Sequence, residues 1–146
     1  MTQDQSILVT DTGFATDDWT HGFLSPDRLA ANDCPAKGVA LGPDADIASL
    51  VGHIDAIDLI RIDFPSFADG RGFTLARQLR QMGYQGRLRA AGHVLADQYA
   101  MARRSGFDEV QIDATLAARQ PEDHWRARSD WQAHDYQSRL RGSRFS

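Results

Sequence analysis

Apolar residues recur along this chain in two rhythms: short runs bounded by glycine or proline, and stretches with the three-and-four spacing of one helix face. Ile7-Leu8-Val9-Thr10 is the first short run, followed by the turn residues Asp11 to Gly13. Pro35 and Gly38 punctuate the chain before Gly38 to Leu41, which reads as the first core strand. After the turn Gly42-Pro43-Asp44, residues Ile47, Leu50, Val51 and Ile54 fall at i, i+3, i+4 and i+7, which predicts a core-facing helix over 46–54. AIDLIRIDF, 56–64, alternates imperfectly, as a parallel strand covered on both faces does. Next the spacing predicts a helix over 73–82 with Leu75, Leu79 and Met82 inward and Gly83 as its cap. A strand over 87–91, a helix from about 94 to 104 stopped by Gly106, and a strand over 107–112 follow.

Alternation of this kind predicts an α/β fold with right-handed crossovers and a mostly parallel sheet, either half-barrel-like or small and doubly wound. The 146 residues suit a single domain: an N-terminal arm over 1–35, a β-α core over 36–113, and a C-terminal helical segment and tail over 114–146. Trp19, Phe23 and Leu24 are expected to pin the arm to the body. The C-terminal segment is expected to break near Pro121, with Leu116, Trp125, Trp131 and Tyr136 as its large anchors.

Composition narrows the chemistry. With 42% hydrophobic and 25% charged residues the chain is of ordinary globular type. No run approaches membrane-spanning length, and MTQDQSILVTD has neither the cationic nor the apolar part of a signal peptide, so a cytoplasmic location away from membranes is expected. One cysteine, Cys34, leaves no disulfide within the chain and no cysteine-ligated centre, so no covalently bound cofactor is expected and a redox role would borrow one. The five histidines, 21, 53, 93, 124 and 134, show no metal-ligand spacing, and no metal site is expected. The net charge of −4 hides an asymmetry: residues 1–60 hold ten acidic and two basic side chains, and 61–146 hold ten acidic and fourteen basic. Arginine dominates the basic half, which suits oxyanion or partner recognition, while the acidic total and the lack of an aromatic-laced basic run argue against nucleic acid.

In a parallel sheet the carboxyl ends of the strands share one edge, so the loops after Phe64, Ala91 and Ile112 are expected to converge. That gathers Asp63, Asp69, Arg71, His93, Asp97 and Asp113. Within this region Asp69-Gly70-Arg71-Gly72-Phe73-Thr74 combines glycines, a helix start and an arginine fork, features of an anion site. It matches neither the dinucleotide nor the P-loop fingerprint. The competing reading is structural, with Asp69 capping the helix and pairing an arginine while the glycines supply backbone freedom. A partner-protein surface is the third. Arg77 and Arg80 lie three apart on the following helix, and Asp97, Gln98 and Arg89 complete the candidate binding set; Asp69, Asp97 and His93 are the candidate proton carriers.

The block FPSFADGRGFTLARQLRQMGYQGRLRAAGHVLADQ, with RRSGFDEVQI after it, resembles the signature of a small bacterial family labelled as oxidoreductases of sulfite reduction, FPxFxDGRG[YF]SxARxLRxxxGYxGELRAxGDVLxDQ then RxGFD. The likeness spans about 63–112, and Asp135-Tyr136-Gln137 resembles that family's YQ ending. Carried over by motif, it marks Phe64, Pro65, Phe67, Asp69 to Gly72, Arg77, Leu79, Arg80, Arg89, Gly92, Asp97, Gln98 and Gly106 to Asp108. Thr74, Arg87 and His93 depart from it, standing where the pattern has Ser, Glu and Asp. Since such proteins are encoded beside sulfite reductase, the resemblance implies an accessory role in assimilatory sulfite reduction, docking to the reductase or its electron donor through Arg71, Arg77 and Arg80. An enzyme binding sulfite, a nucleotide or a flavin at the same turn, and a fold signature without a ligand, are the alternatives.

Overall fold

The computed structural model describes residues 7–19, 22–24, 37–50 and 52–128. His21, Cys34, Pro35, Val51, Trp131, His134, Tyr136 and the tail lie outside them. The described chain forms β1 (Ile7–Thr10), β2 (Gly13–Thr16), β3 (Gly38–Leu41), β4 (Leu59–Phe64), α1 (Arg71–Gln81), β5 (Arg87–Gly92), α2 (Tyr99–Ser105), β6 (Glu109–Ile112), α3 (Ala114–Arg119) and α4 (Glu122–Arg126).

The six strands make one sheet in the order β2-β1-β6-β5-β4-β3. Strands β3 to β6 are parallel and sequential, while β1 lies antiparallel to both β6 and β2. The parallel strands follow one another across the sheet in chain order without reversal, and α1 and α2 pack into one core on the same face, as in the half-barrel-like alternative. The burial pattern agrees: Ile60, Ile62, Phe64, Leu88, Ala90, Val110 and Ile112 join one core with Phe73, Ala76 and Leu79 of α1 and Tyr99 and Ala102 of α2.

The opposite face is unlike it. The parallel register aligns Arg61 with Arg89 and Arg89 with Glu109, and places Arg87 beside Leu59. This charged face meets Asp17, Asp18 and Phe23, from the described residues between β2 and β3. Phe23 lies under the Arg61 guanidinium at 4.1 Å, Leu24 bridges Val39, and the Trp19 indole occupies the space a side chain at Gly38 would need. Both faces are covered, but by different means. Helices cover one face, and ion pairs fill much of the other.

Two helix expectations change as well. The segment over 46–54 is two 3-10 turns, Ile47–Leu50 and Ile54–Ala56. Asp46 Oδ1 accepts from Ala48 N at 3.0 Å, and His53 N donates to Leu50 O, so local bonds close before an α-helix can propagate. The helix expected from 94 begins as a 3-10 turn at Ala96–Gln98 and becomes α2 only at Tyr99, ending at Gly106 with φ +118°. The break near Pro121 is present between α3 and α4.

Candidate functional site

The Asp69-Gly70-Arg71-Gly72 turn enters α1, but its charges close on each other. Asp69 Oδ1 accepts from the Arg71 backbone N at 3.1 Å and Nε at 3.0 Å, and Oδ2 accepts from Nη2 at 2.7 Å. The Arg71 guanidinium holds the Asp69 carboxyl below its ordinary range. Gly72 has a packing reason: a Cβ there would stand 2.5 Å from the Phe64 ring. Gly70, in contrast, faces open space apart from Phe73 at 3.9 Å. Thr74 is exposed one turn on.

The strand ends converge as expected and enclose a cleft of about 310 Å³. Phe67 from the loop after β4, Gly92 at the end of β5, His93 just beyond it, and Gln111, Asp113, Thr115 and Arg119 around the end of β6 and α3 line it. His93 Nδ1 lies 3.2 Å from Phe64 O, and its backbone N donates to the same oxygen at 3.0 Å. Because a carbonyl only accepts, Nδ1 is the donor of this contact, and in the neutral imidazole Nε2 is then the acceptor. Phe67 meets the imidazole edge-on at 5.0 Å between ring centres. Gly92 is needed here, since φ is +108° and a Cβ would stand 2.8 Å from Phe64 O.

Asp113 is occupied as the cap of α3, its Oδ1 accepting from Leu116 N at 2.8 Å. Arg119, exposed at the other end of α3, has no hydrogen bond or ion pair among the described residues. Gln98 fastens the neighbouring loops, donating from Nε2 to Phe67 O at 3.0 Å and accepting from Leu95 N at 2.8 Å. Asp97 pairs with Arg128 at 2.6 Å on the surface. Asp69, Asp97, Gln98 and His93 thus share one edge. The cleft offers an aromatic wall, a histidine acceptor, a hydroxyl and a guanidinium, the donor set for a small polar or anionic ligand.

Other sequence candidates sit elsewhere, and Arg71 and Arg80 lie at opposite ends of α1. Arg80 is at the amino edge of the strands, donating to Gly106 O through Nε at 3.0 Å and Nη2 at 2.8 Å. It also donates to Tyr84 O at 3.0 Å, Gly86 O at 2.9 Å and Asp108 Oδ2 at 2.9 Å. Arg77 is exposed on α1 between the two ends. Arg89 is wholly buried on the charged sheet face and Asp63 pairs with Arg61 there, so neither joins the cleft. Arg87 donates to Glu109 and to Asp18, whose carboxyl it holds below the ordinary value.

Sequence reasoning missed Arg119 and Thr115. Their signal was position alone, immediately beyond the carboxyl end of β6. Among the described residues no group of three or more His, Cys, Asp or Glu could hold a metal ion, and no helix is long and apolar enough to cross a membrane. No curated protein matches the chain. A family described as "Bacterial protein of unknown function (DUF934)" matches residues 38–145, from β3 through the described helices into the tail, and the chain belongs to that family.

Proposed function

We propose that this protein is a cytoplasmic accessory of assimilatory sulfite reduction that meets sulfite reductase or its electron donor with the carboxyl edge of its sheet. The observation that carries the reading is the cleft bordered by Phe67, His93 and Arg119, where an exposed guanidinium with no partner among the described residues stands beside an aromatic wall. Such a surface suits an acidic or oxyanion-bearing partner. The resemblance of residues 63–112 to the sulfite-reduction signature supplies the pathway. In this reading Arg119 and Arg71 face the partner, while Asp69 and Gln98 hold the loops that present them.

Affinity capture from sulfate-grown cells tests the docking. The wild-type chain is expected to recover a sulfite-reductase subunit or its reductant, and Arg119→Ala to lose it. Recovery of neither by wild type, or equal recovery by both, contradicts the reading.

A second reading is favoured by His93. Its Nδ1 contact with Phe64 O presents Nε2 as a proton acceptor in a cleft that also holds Thr115 and Arg119, the arrangement of a general base beside an anion contact. As a small oxidoreductase the protein would bind sulfite, FMN or NADPH in that cleft. Visible or near-ultraviolet flavin absorbance in the purified protein, or a thermal shift with any of these that His93→Ala removes, would favour it over docking alone.

A further inference from the structure

The charged face of the sheet contains a guanidinium pair whose bonding is incomplete. Arg89 has no exposed side-chain surface, and two of its three nitrogens are bonded. Nε donates to Glu109 Oε2 at 2.7 Å, and Nη1 donates to Gln111 Oε1 at 3.0 Å and to both Asp17 oxygens at 3.2 Å. Nη2 is buried and has no hydrogen-bond partner among the described residues. Asp18 Oδ1 stands 3.9 Å from it, too far for a hydrogen bond. That same Asp18 Oδ1 accepts from Arg87 Nη2 at 2.9 Å. One carboxylate oxygen therefore sits before two guanidinium Nη2 atoms and bonds only one.

We propose that Arg87 Nη2 and Arg89 Nη2 form a binding site for a small oxyanion, a place taken in this structure by the Asp18 carboxylate. The site is built rather than incidental. A buried polar donor without a partner is costly, and the orphaned atom belongs to a guanidinium that is otherwise fully bonded and cannot turn away. Glu109 accepts from Arg89 Nε and takes one side of Arg87 Nη2, at 2.8 and 3.0 Å, and Asp17 accepts from Arg89 Nη1, so these acids hold the pair in place while Arg89 Nη2 and the side of Arg87 Nη2 that meets Asp18 are left for a ligand.

The occupant is weakly held. Asp18 has 66% of its side chain exposed and lies in a stretch between β2 and the Leu24 bridge where it forms no strand pairing. Exposed ion pairs contribute little, so a free anion with several acceptor oxygens can displace the carboxylate and reach both Nη2 atoms. Sulfate-type, phosphate-type and carboxylate ligands share this chemistry. The site lies on the opposite face from α1 and α2, and it does not depend on the carboxyl-edge cleft or on the function proposed for it.

Calorimetric titration of the full chain with sodium sulfate, sodium phosphate or sodium acetate, at ionic strength held constant with sodium chloride, tests the proposal and ranks the anions. Asp18→Ala removes the occupant and is expected to tighten binding roughly two- to fivefold, the equivalent of one exposed ion pair. Arg87→Gln removes a charged donor that is partly exposed and is expected to weaken binding at least about tenfold. Arg77→Ala, at an exposed arginine of α1, is expected to change nothing. Absence of binding by Asp18→Ala, or unaltered binding by Arg87→Gln, overturns the proposal. Loss of binding in Arg119→Ala with retention in Arg87→Gln assigns the anion to the cleft, which overturns this site while sparing the functional reading.

Discussion

Replacing Arg80 with Ala should destabilise the protein severely without touching the carboxyl edge. Its guanidinium ties the last turn of α1 to the segments that lead into β5 and β6, through Tyr84 O, Gly86 O, Gly106 O and Asp108. The packing around it is close: a Cβ at Gly106 would stand 2.7 Å from Arg80 Cγ. Truncation leaves these acceptors without their charged donor. A hydrogen bond to a charged group contributes about 1.5–3 kcal/mol when measured singly, but bonds from one group do not add. The side chain is 27% exposed, so water can return to some of the carbonyls. The net cost expected is about 3–5 kcal/mol, the range for breaking a buried pair. At a urea slope near 2 kcal/mol/M this moves the midpoint down by about 2 M. Urea unfolding followed by far-ultraviolet circular dichroism measures it. Arg80→Lys should recover little, because an ammonium cannot fork to three carbonyls. Arg77→Ala, one turn away and exposed, should lie within about 0.5 kcal/mol of wild type. A midpoint for Arg80→Ala within about 0.5 M of wild type would refute the reasoning and return Arg80 to the set of free surface arginines.

The two glycines of the Asp69–Gly72 turn should behave differently. Gly72→Ala, whose methyl group would run into the Phe64 ring, should cost about 1–3 kcal/mol in thermal or urea unfolding, and Gly70→Ala should be close to neutral. Burial raises the Tyr84 and Tyr99 phenols, and Tyr99 also donates to Asp11 Oδ1 at 2.5 Å. The neutral phenols are therefore favoured by folding, a contribution complete below about pH 10 that is lost as pH rises through the folded values. An ultraviolet titration should show neither ring ionising before the alkaline unfolding transition. On the acid side, Asp18 and Asp69 are lowered from 3.8, chiefly by hydrogen bonds from Arg87 and Arg71. Their contribution is present above about pH 4 and is lost as pH falls through the folded values, so Asp18→Asn with Asp69→Asn should flatten the stability curve below pH 4.

Much of the fold was readable because apolar strands and glycine stops are local signals. Gly38–Leu41, Leu59–Phe64 and Arg87–Gly92 stand where the alternation places them, and Gly83 and Gly106 take the positive φ values of helix ends. The 46–54 segment misled because its apolar spacing matches a helix face, while the side chain of Asp46 and the bond from His53 N to Leu50 O favour shorter turns. Strand β2 carried no apolar run; its edge is satisfied from a distance, with Phe14 N donating to Glu122 Oε2 at 2.9 Å.

The candidate site was legible in location and partly misassigned in membership. Convergence of the strand ends follows from parallel topology, so His93 and Asp113 could be placed beside each other from sequence. That Asp69 and Arg71 satisfy each other follows from their being two residues apart, a reading the sequence also allowed. The roles of Arg80 and Arg89 depend on partners far along the chain. Arg80 bonds Gly106 and Asp108, and Arg89 bonds Glu109 and Asp17, contacts that no local pattern announces.

The most direct measurement is growth of a deletion strain, complemented with variants, on sulfate, sulfite, sulfide or cysteine as sole sulfur source. If the carboxyl edge serves the sulfite step, the deletion grows on sulfide and cysteine but poorly on sulfate and sulfite, Arg77→Ala restores growth, and Arg119→Ala with His93→Ala does not. Full growth of the deletion on sulfite, or full rescue by the cleft variant at wild-type protein levels, would contradict the account.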